Sequence, residues 1–424
     1  MRPRFRLEST LLLLTLGMLA RLGSVAWQFP YHLNPALDHW RFGWEMGRVA
    51  QALYEGRGFA SPVLTPSGPT AWMAPVYPAL VWLSFRLFGL HTIAAAWFIL
   101  GLNSLFGVLT ALPVRALARR LFNDERVALL AAWTWACLPY SIYIAGERIW
   151  ENTLATLLAA CLLWMTYWLE RDGRLWHWLA WASVWAVAAL TSPTLVLPLP
   201  AIGLWIALRY ARAGKRWFWQ ATAAALLFFA LITPWTVRNY RQFHRFIPMR
   251  GNFWLEVHVG NNGDDRKPCP PSAHPSNNQH ERDQFAALGE MAYMDAKKVE
   301  AKQWIATHPG MFWWLTLRRT LFFWTGWWSA TPYYLDEEPM EPFAVPYFTA
   351  LLVLGIAGIR LARRNGLGHM LWPMLFYLII YPLPYYFTHP SYDYRHPMDV
   401  VFVLCGSYFV SDWWRKRKDR RASI

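Results

Sequence analysis

TIAAAWFILGLNSLFGVLTALPVRALARRLFNDER, residues 92–126, shows in one stretch how this chain is built. Its first part, 92–114, is apolar and long enough to cross a bilayer, because a membrane-spanning helix needs about 20 apolar residues. Its second part is basic and contains Arg115, Arg119, Arg120 and Arg126. Apolar runs and basic clusters alternate in this way along the chain, and the pattern predicts a membrane protein that crosses the bilayer many times.

The composition agrees with a membrane protein. The 424 residues are 55% hydrophobic and 17% aromatic, and 29 of them are tryptophan, a residue that gathers at membrane–water interfaces. The formal charge of +15 falls at the ends of the apolar runs. Because it does not form one basic face, we expect no nucleic-acid partner.

The hydropathy predicts an all-α polytopic membrane protein with about ten transmembrane helices. The predicted spans are 7–29, 92–114, 127–145, 152–170, 176–190, 194–209, 217–235, 343–361, 369–388 and 397–414. The first run is too long for the apolar part of a signal peptide, so we interpret it as a span. Most basic clusters, including the tail 415–421, then lie on one side, and the positive-inside rule predicts that both termini are cytoplasmic.

This topology divides the chain into three predicted regions: an N-terminal transmembrane region (1–235) with a catalytic first outer loop (30–91), a long periplasmic loop (236–342), and a C-terminal transmembrane region with a basic cytoplasmic tail (343–424). Two apolar pieces of the outer loops, 75–90 and 311–328, carry arginine. A charge at the centre of a bilayer costs about 2.5 kcal/mol or more, so we expect these pieces to lie on the outer surface as interfacial helices.

The first outer loop contains the first candidate for catalysis. If residues 38–54 form a helix, Asp38 and Glu45 share one face, and a carboxylate held against the bilayer is a candidate general base. The alternative is that Glu45 pairs with Arg41 or Arg48 on a solvated helix. A second acidic position, Glu151, opens the span 152–170, where capping the helix is the alternative role.

The remaining candidates lie in the later outer loops. Arg238 leaves the seventh span with three other arginines, and phosphate binding would explain positive charge on the outer side. The stretch GNNGDD, 260–265, either coordinates a divalent cation or forms a plain turn, and His274 stands alone in its loop. In the last outer turn, Arg395 with Tyr394 either binds a lipid phosphate or forms a salt bridge to Asp393 or Asp399.

Several segments together resemble a known family. These segments are FGWEMGRVAQALYEGRGF (42–59), SGPTAWMAPVYPALVWLSFRLFG (67–89), RIWENTLATLL (148–158), LTSPTLVLPLP (190–200), PWTVRNYRQFHRFIPMRGNFWLEVHVGNN (234–262), HPSNN (274–278) and YRHPMDVVFVL (394–404). In order and spacing they resemble the GT-C type membrane glycosyltransferases. The similarity is greatest to family 39, which includes relatives of the protein O-mannosyltransferases and of the lipid A aminoarabinose transferase.

The resemblance implies a GT-C fold and an inverting glycosyltransferase. Such an enzyme moves a sugar from a polyprenyl-phosphate donor to an acceptor hydroxyl on the outer side of the membrane. Glu45 matches the family's acidic residue in the first loop, with Asp38 as the second candidate, and Glu151 matches a supporting acid. Candidates for binding the donor are Arg395, Tyr394, Arg238, His274 and Arg21; the last of these is otherwise a snorkelling residue near the end of the first span.

The resemblance leaves the sugar, the acceptor and the metal dependence open, and a divalent metal ion is the one cofactor candidate. The expected location is a bacterial inner membrane. Two other functions compete with the transferase: a transporter or flippase of a lipid-linked glycan, and a family member that has lost catalysis and serves as an assembly partner. A transporter should carry carboxylates within its spans, and the predicted spans contain few acidic residues deep inside.

Overall fold

The computed structural model describes residues 3–32, 42–63, 66–263, 271–329 and 341–422. In these residues the chain is almost entirely helical, and its extended pairing is a single bridge between Ala60 and Pro69. The helices are α1 (Pro3–His32), α2 (Trp44–Tyr54), α3 (Val76–Phe88), α4 (Ile93–Leu109), α5 (Ala111–Phe122), α6 (Glu125–Cys137), α7 (Pro139–Glu147), α8 (Asn152–Arg171), α9 (Leu175–Ala189), α10 (Leu199–Arg212), α11 (Phe218–Phe243), α12 (Phe253–Gly260), α13 (Gln279–Leu288), α14 (Glu290–Thr307), α15 (Pro309–Thr325), α16 (Glu341–Ala362), α17 (Trp372–Ile380), α18 (Leu383–Phe387) and α19 (Tyr392–Ala422).

Among the described residues, seven helical stretches are long and apolar enough to cross a membrane. They are Ser9–Phe29, Ile93–Phe122, Glu125–Glu147, Asn152–Arg171, Pro193–Arg212, Phe218–Phe243 and Pro342–Met370. The prediction of an all-α polytopic membrane protein is confirmed, and these stretches correspond to seven of the ten predicted spans. The number ten is not confirmed.

The three other predicted spans differ from these seven for visible reasons. The span predicted at 176–190 corresponds to α9, which has only 15 residues. The span predicted at 369–388 is broken into α17 and α18, because Pro382 and Pro384 interrupt the backbone hydrogen bonding. The span predicted at 397–414 lies inside α19, a 31-residue helix whose ends carry many charged residues. The segment 311–328 forms most of α15 and is not among the seven stretches.

Helix α19 lies at the centre of the bundle, where it packs along α16 and also contacts α6 and α8. Glycine permits the close crossing with α16. A Cβ atom at Gly355 would collide with the Phe402 side chain, and one at Gly358 would collide with the Cys405 carbonyl. Small residues at a membrane helix crossing bring backbones together in this way. The tight crossing fixes the start of α19, and with it the outer turn before the helix.

The candidate site forms where the first outer loop, the turn before α8, and α12 meet that outer turn. The end of α12 contacts the end of α18, where Asn261 Nδ2 donates a hydrogen bond to the Phe387 carbonyl at 2.9 Å. Gly251, just before α12, donates its N–H to the Ala71 carbonyl at 2.8 Å. These backbone contacts bring together segments that lie more than a hundred residues apart in the sequence.

Candidate active site

Glu45 lies in the first turn of α2 and is only 4% exposed. The helix begins after Gly43, whose φ of 98° is the left-handed conformation that favours glycine. A Cβ atom at Gly43 would stand 2.6 Å from the Ile149 carbonyl oxygen, so only glycine lets the loop approach this closely. The contact places Glu45 beside the turn that carries Glu151. Helix α2 ends before Gly56 and Gly58, both of which have positive φ.

The carboxylate of Glu45 meets the loop that precedes α13. The Ser276 hydroxyl donates a short hydrogen bond to Glu45 Oε1, and His274 Nε2 lies 3.9 Å from the same oxygen. The Ser276 N–H donates to His274 Nδ1 at 3.1 Å, so in the neutral imidazole the proton is on Nε2, facing the carboxylate. The Trp72 ring packs edge-on against His274 with 5.6 Å between ring centroids, which fixes the orientation of the imidazole.

Glu151 occupies the N-cap position of α8, where its side chain makes no capping hydrogen bond, and it is 5% exposed. Its Oε2 is buried and has no hydrogen-bond partner within the described ranges. Burial raises the pKa of Glu151 to about 7 against the opposing charge of Arg250, and the nearby carboxylates of Glu45 and Asp393 add to the rise. A carboxyl group that titrates near neutral pH can give or take a proton under physiological conditions.

Arg250 is a cation whose charge acts on Glu151, and it reaches the site from the segment before α12. Its Nε donates to the Trp72 carbonyl at 3.0 Å and to Asn252 Oδ1 at 2.7 Å. Its Nη2 lies 3.9 Å from Glu256 Oε1, an ion pair beyond hydrogen-bond distance, and the side chain stays 26% exposed. The contacts of Nε with the Trp72 carbonyl and the Asn252 side chain therefore hold the guanidinium at the site.

Glu256 and His389 form the far side of the site. His389 Nε2 lies 2.9 Å from Glu256 Oε2, and Asn252 donates a short hydrogen bond to the other oxygen. Burial favours the neutral acid, but the hydrogen bond and charge of His389, with His274 and Arg250, lower the pKa of Glu256 to about 2. An ionised carboxylate only accepts hydrogen bonds, so His389 donates its Nε2 proton to Glu256.

Tyrosines from the C-terminal half complete the wall next to His389. The rings of Tyr394 and Tyr385 stack with 4.7 Å between centroids, and the ring of His389 lies 5.7 Å from that of Tyr394. The hydroxyls of Tyr385 and Thr194 lie 2.9 Å apart in a hydrogen bond, and Tyr381 donates to the Tyr394 carbonyl at 2.9 Å. The segment 190–200 and the last outer turn are thereby joined at the site.

The structure brings four of the predicted residues to this region: Glu45, Glu151, His274 and Tyr394. Glu45 also contacts Ser276 and His274, two residues that the sequence did not connect with it. Asp38 and Arg41 lie outside the described residues. Sequence reasoning included Arg250 only as one of four arginines after the seventh span, and it missed Glu256, His389 and Ser276, because nothing in the sequence brings 250–256, 276 and 389 together.

The three predicted phosphate-binding arginines are engaged elsewhere. Arg395 is fully buried, and its Nε donates to Asp399 at 2.9 Å, the salt bridge that the sequence left as an alternative. Arg238 donates to the carbonyls of Thr70 at 2.5 Å and Phe59 at 2.6 Å, so it holds the first outer loop in place.

Arg21 is also fully buried and donates to the Ala136 carbonyl at 2.9 Å and to the Ser141 hydroxyl at 2.8 Å. The snorkelling interpretation of Arg21 is wrong, because its guanidinium turns into the helix bundle and not toward the membrane surface. A Cβ atom at Gly107 would collide with this side chain, so the neighbouring helix leaves space for it.

The residues do not form a ready metal site. In the part of the chain that the structure describes, no group of three or more His, Cys, Asp or Glu side chains could hold a metal ion. Asp264 and Asp265 of the GNNGDD stretch lie outside the described residues.

With this geometry established, comparisons with known proteins identify the class. Residues 72–236 match the model of the family described as dolichyl-phosphate-mannose-protein mannosyltransferase. The fold resembles the archaeal oligosaccharyltransferase AglB from Archaeoglobus fulgidus in complex with an inhibitory peptide and a dolichol-phosphate. The TM-score is 0.56 at 16% identity, covering 99% of this chain and 52% of that one. The same enzyme in complex with Zn and sulfate gives a TM-score of 0.55 at 15% identity, covering 96% and 50%.

The third comparison is weaker. ArnT from Cupriavidus metallidurans bound to undecaprenyl phosphate aligns with a TM-score of 0.40 at 16% identity, covering 94% of this chain and 77% of that one, and this likeness supports no further argument. No curated protein sequence is significantly similar to the chain. The chain spans about half the length of the archaeal oligosaccharyltransferase that it matches.

These findings confirm the resemblance to GT-C type membrane glycosyltransferases. The protein is an integral membrane protein with the GT-C fold. Because the chain covers only half of the archaeal enzyme, its own donor, acceptor and catalytic residues have to be inferred from its own site.

Proposed function

We propose that this protein is an inverting glycosyltransferase that moves a sugar from a polyprenyl-phosphate carrier to an acceptor hydroxyl. One observation carries the proposal: two buried acidic residues from separate segments, Glu45 and Glu151, lie at a site with Arg250, whose charge acts on Glu151 and whose side chain stays 26% exposed. This combination supplies a base for the acceptor and a cation for the leaving phosphate. The site lies in the loops opposite the basic clusters, which the positive-inside rule assigns to the outer side.

In the proposed reaction Glu45 is the general base. The acceptor oxygen attacks the anomeric carbon of the sugar and gives its proton to Glu45, while the bond from that carbon to the phosphate oxygen breaks. The electron pair of that bond leaves with the polyprenyl phosphate, so no general acid is needed, whereas glycosidases need one because their leaving group is an alkoxide. Attack from the side opposite the phosphate inverts the configuration.

Ser276 and His274 position the base. The hydroxyl of Ser276 donates a hydrogen bond to Oε1 of Glu45, and the imidazole of His274 lies near the same oxygen. The proposed proton acceptor is therefore the other oxygen, Oε2. General-base catalysis of this kind contributes roughly 10²–10⁴-fold to rate. Glu151 is the second candidate, since its pKa of about 7 lets it share a proton with the base or with the acceptor near neutral pH.

Arg250 is the proposed contact to the carrier phosphate. Its Nε is held by the Trp72 carbonyl and Asn252, so the outer nitrogens are oriented before a ligand arrives. Charge-assisted hydrogen bonds from a fixed arginine stabilise the negative charge that develops on a leaving phosphate. Arg395 and Arg21 are enclosed in the bundle, and Arg238 is bound to loop carbonyls, so these three are weaker candidates than the sequence suggested.

The comparisons support the donor class without identifying the donor. The family model is described as dolichyl-phosphate-mannose-protein mannosyltransferase, and the archaeal enzyme was crystallised with a dolichol-phosphate. We therefore propose a sugar linked to a polyprenyl phosphate, with Tyr394 and Tyr385 as a stacking surface beside it. The proposed location is a bacterial inner membrane, with both termini in the cytoplasm and transfer on the periplasmic side.

The test is sugar release from a panel of radiolabelled polyprenyl-phosphate sugars by the purified protein in lipid, with a membrane extract as the source of acceptors. Glu45→Gln should lower turnover at least about a hundredfold, the lower end for loss of a general base. Glu55→Gln is the matched control, because Glu55 follows the end of the same helix and forms an exposed pair with Arg57. Asp38→Asn tests the second candidate from the sequence.

Three results would contradict the proposal. Full activity of a folded Glu45→Gln protein would show that Glu45 is not the general base. Loss of activity in Asp38→Asn alone would indicate that Asp38 is the general base instead. No release from any donor by the folded wild type would reject the proposed donor class.

A further inference from the structure

Helices α9, α10 and α11 enclose an apolar groove far from the catalytic residues. Its volume is about 410 Å³, within the range of small-molecule sites in proteins. Helix α11 packs along α9, while α10 leans instead toward α8 and α17, so the groove opens where α10 separates from its neighbours. Every residue that lines it is apolar.

The sequence builds this groove from small residues flanked by large ones. Gly203 and Ala207 lie one turn apart on α10, and Ala221, Ala224 and Ala225 face them from α11. Tryptophans form the walls: Trp178, Trp181 and Trp185 from α9, and Trp217 at the start of α11. Leu204 and Phe229 line the groove and are 61% and 59% exposed, so it opens toward the surrounding lipid.

One end of the groove carries exposed positive charge. Arg212 ends α10, and Lys215 and Arg216 directly precede Trp217, which lines the groove. All three cations are exposed, and no salt bridge is found for them within the described ranges. The ammonium of Lys215 donates to the Arg171 carbonyl at 3.3 Å and lies 5.5 Å from the centroid of the Tyr210 ring. Phe218 and Trp219 follow with exposures of 73% and 72%, as expected for aromatic residues at the membrane–water boundary.

We infer that this groove is a binding site for an anionic phospholipid. One acyl chain fills the apolar groove, and the phosphate of the headgroup binds at the basic end formed by Arg212, Lys215 and Arg216. Basic pockets between transmembrane helices bind anionic lipid headgroups, and the basic end of this groove has the same kind of charge. The site belongs to the leaflet that the basic clusters face, which is the cytoplasmic one in the proposed orientation.

The donor lipid is the alternative occupant, and the distribution of charge argues against it. The proposed phosphate contact for the donor, Arg250, lies beyond the opposite end of α9. That end is fixed to the first outer loop, since Val76 donates its N–H to the Leu190 carbonyl at 3.0 Å. A lipid whose phosphate is at the basic end therefore enters from the other leaflet and leaves the catalytic site free. This inference does not depend on the proposed transferase activity.

Native mass spectrometry of the purified protein, with added lipids, measures the binding directly. The probes are palmitoyl-oleoyl phosphatidylglycerol, the corresponding phosphatidylcholine, and undecaprenyl phosphate. The wild type should bind phosphatidylglycerol in preference to phosphatidylcholine. Gly203→Phe should abolish this preference, because a Cβ atom at Gly203 meets no atom within 4 Å and the new ring would enter the groove. Replacing Arg212, Lys215 and Arg216 together by Gln should weaken phosphatidylglycerol binding roughly a hundredfold, at about fivefold for each charge.

The chain offers a matched control for each change. Gly101→Phe on α4 also enters open space but does not line the groove, so it should bind phosphatidylglycerol like the wild type. Replacing Arg360, Arg363 and Arg364 by Gln removes the same charge from another exposed cluster and should have little effect. The inference is overturned if the wild type does not prefer phosphatidylglycerol or if Gly203→Phe leaves that binding unchanged. It is equally overturned if Gly203→Phe abolishes the binding of undecaprenyl phosphate but not the binding of phosphatidylglycerol.

Discussion

Two regions of this molecule each join an arginine to a carboxylate, and they differ in what surrounds the pair. In the outer site, Arg250 lies 3.9 Å from Glu256 and its side chain is 26% exposed. In the helix bundle, Arg395 lies 2.9 Å from Asp399 and both side chains are fully buried. The side chain of the outer arginine is partly exposed, whereas the inner one is enclosed by its own protein. Burial and partners, not residue type, therefore distinguish the arginine proposed to bind phosphate from the structural one.

The inner region extends beyond one pair. Arg395 also donates to the carbonyls of Trp324 and Phe348, and its guanidinium lies over the Phe348 ring at 4.6 Å from the centroid. His396 stacks on Trp135 with 5.2 Å between ring centroids and lies 3.7 Å from Asp399. A transporter would need such charges along its path, but here Arg395 and Asp399 pair with each other inside the packed bundle, where Arg395 Nη2, Asp399 Oδ2 and both ring nitrogens of His396 have no hydrogen-bond partner among the described residues. We therefore assign this region to stability.

The largest effect should come from breaking the inner pair. Asp399→Ala leaves Arg395 buried without its carboxylate, and removing one partner of a buried pair costs about 3–5 kcal/mol of the free energy of unfolding. Unfolding in mixed detergent micelles measures this loss. Asp412→Ala is the control, because Asp412 lies later in the same helix and pairs with exposed Arg415 and Lys416.

A double replacement makes the comparison sharper. Arg395→Met with Asp399→Leu removes both charges and should recover most of the lost stability, because well-packed apolar residues often replace a buried pair without penalty. If this variant is folded and still turns over donor, Arg395 does not bind the carrier phosphate. If it is folded and inactive, the sequence-based assignment of Arg395 to the phosphate regains support.

The opposite result is expected for the outer arginine. Arg250→Gln should leave the unfolding transition nearly unchanged but lower donor turnover roughly a hundredfold, as for loss of one donor that stabilises developing charge. The measurement is kcat and KM for the donor. Arg245→Gln is the control, since Arg245 forms an exposed pair with Asp295 in the same segment. Destabilisation of Arg250→Gln comparable to that of Asp399→Ala would show that both arginines are structural.

The sequence predicted the architecture, and for the site it predicted candidates. Hydropathy identified seven membrane-crossing stretches because length and apolarity are local properties. Glu45 and Glu151 could be chosen as candidates because each lies in a recognisable local setting, an early helix turn and a helix start. Arg250 and Arg395 are alike in sequence, both in or beside outer loops. Only the folded contacts of Trp72 with Arg250, and of Asp399 with Arg395, separate them.

The acid pair of the outer site should give activity a pH dependence. The pKa of Glu151 is about 7, so this group loses its proton as the pH rises from about 6 to 8. If its carboxylate form assists the base, turnover of the wild type should increase about tenfold across this range. Glu151→Gln resembles the protonated form at every pH, so this variant should show low, flat activity.

Control measurements make this interpretation specific. Glu147→Gln changes a buried carboxylate in the same turn that is paired with Arg148 at 2.6 Å, and it should retain the increase with pH. If the increase persists in folded Glu151→Gln, the titrating group is another residue, and Glu151 has only the role of a helix cap.

The smallest effect should come from Tyr140, which touches both regions. Its hydroxyl donates to Asp393 at 2.5 Å, and its ring lies edge-on to His396 with 5.5 Å between centroids. Tyr140→Phe removes one hydrogen bond to a charged group, which is worth about 1.5–3 kcal/mol. We expect the lower end of that range, because Asp393 keeps its salt bridge to Arg148 at 3.1 Å.

Donor turnover by Tyr140→Phe should equal that of the wild type, since the removed hydroxyl belongs to the stabilising region. Unfolding in mixed micelles and initial rates of sugar release measure the two quantities on the same preparation. Tyr240→Phe, at a position that is 56% exposed, controls for loss of a tyrosine hydroxyl. A fall in turnover as large as that of Arg250→Gln would mean that Asp393 transmits the state of the inner cluster to Glu151. The two regions would then act as one site, because the carboxylate of Asp393 also contributes to the raised pKa of Glu151.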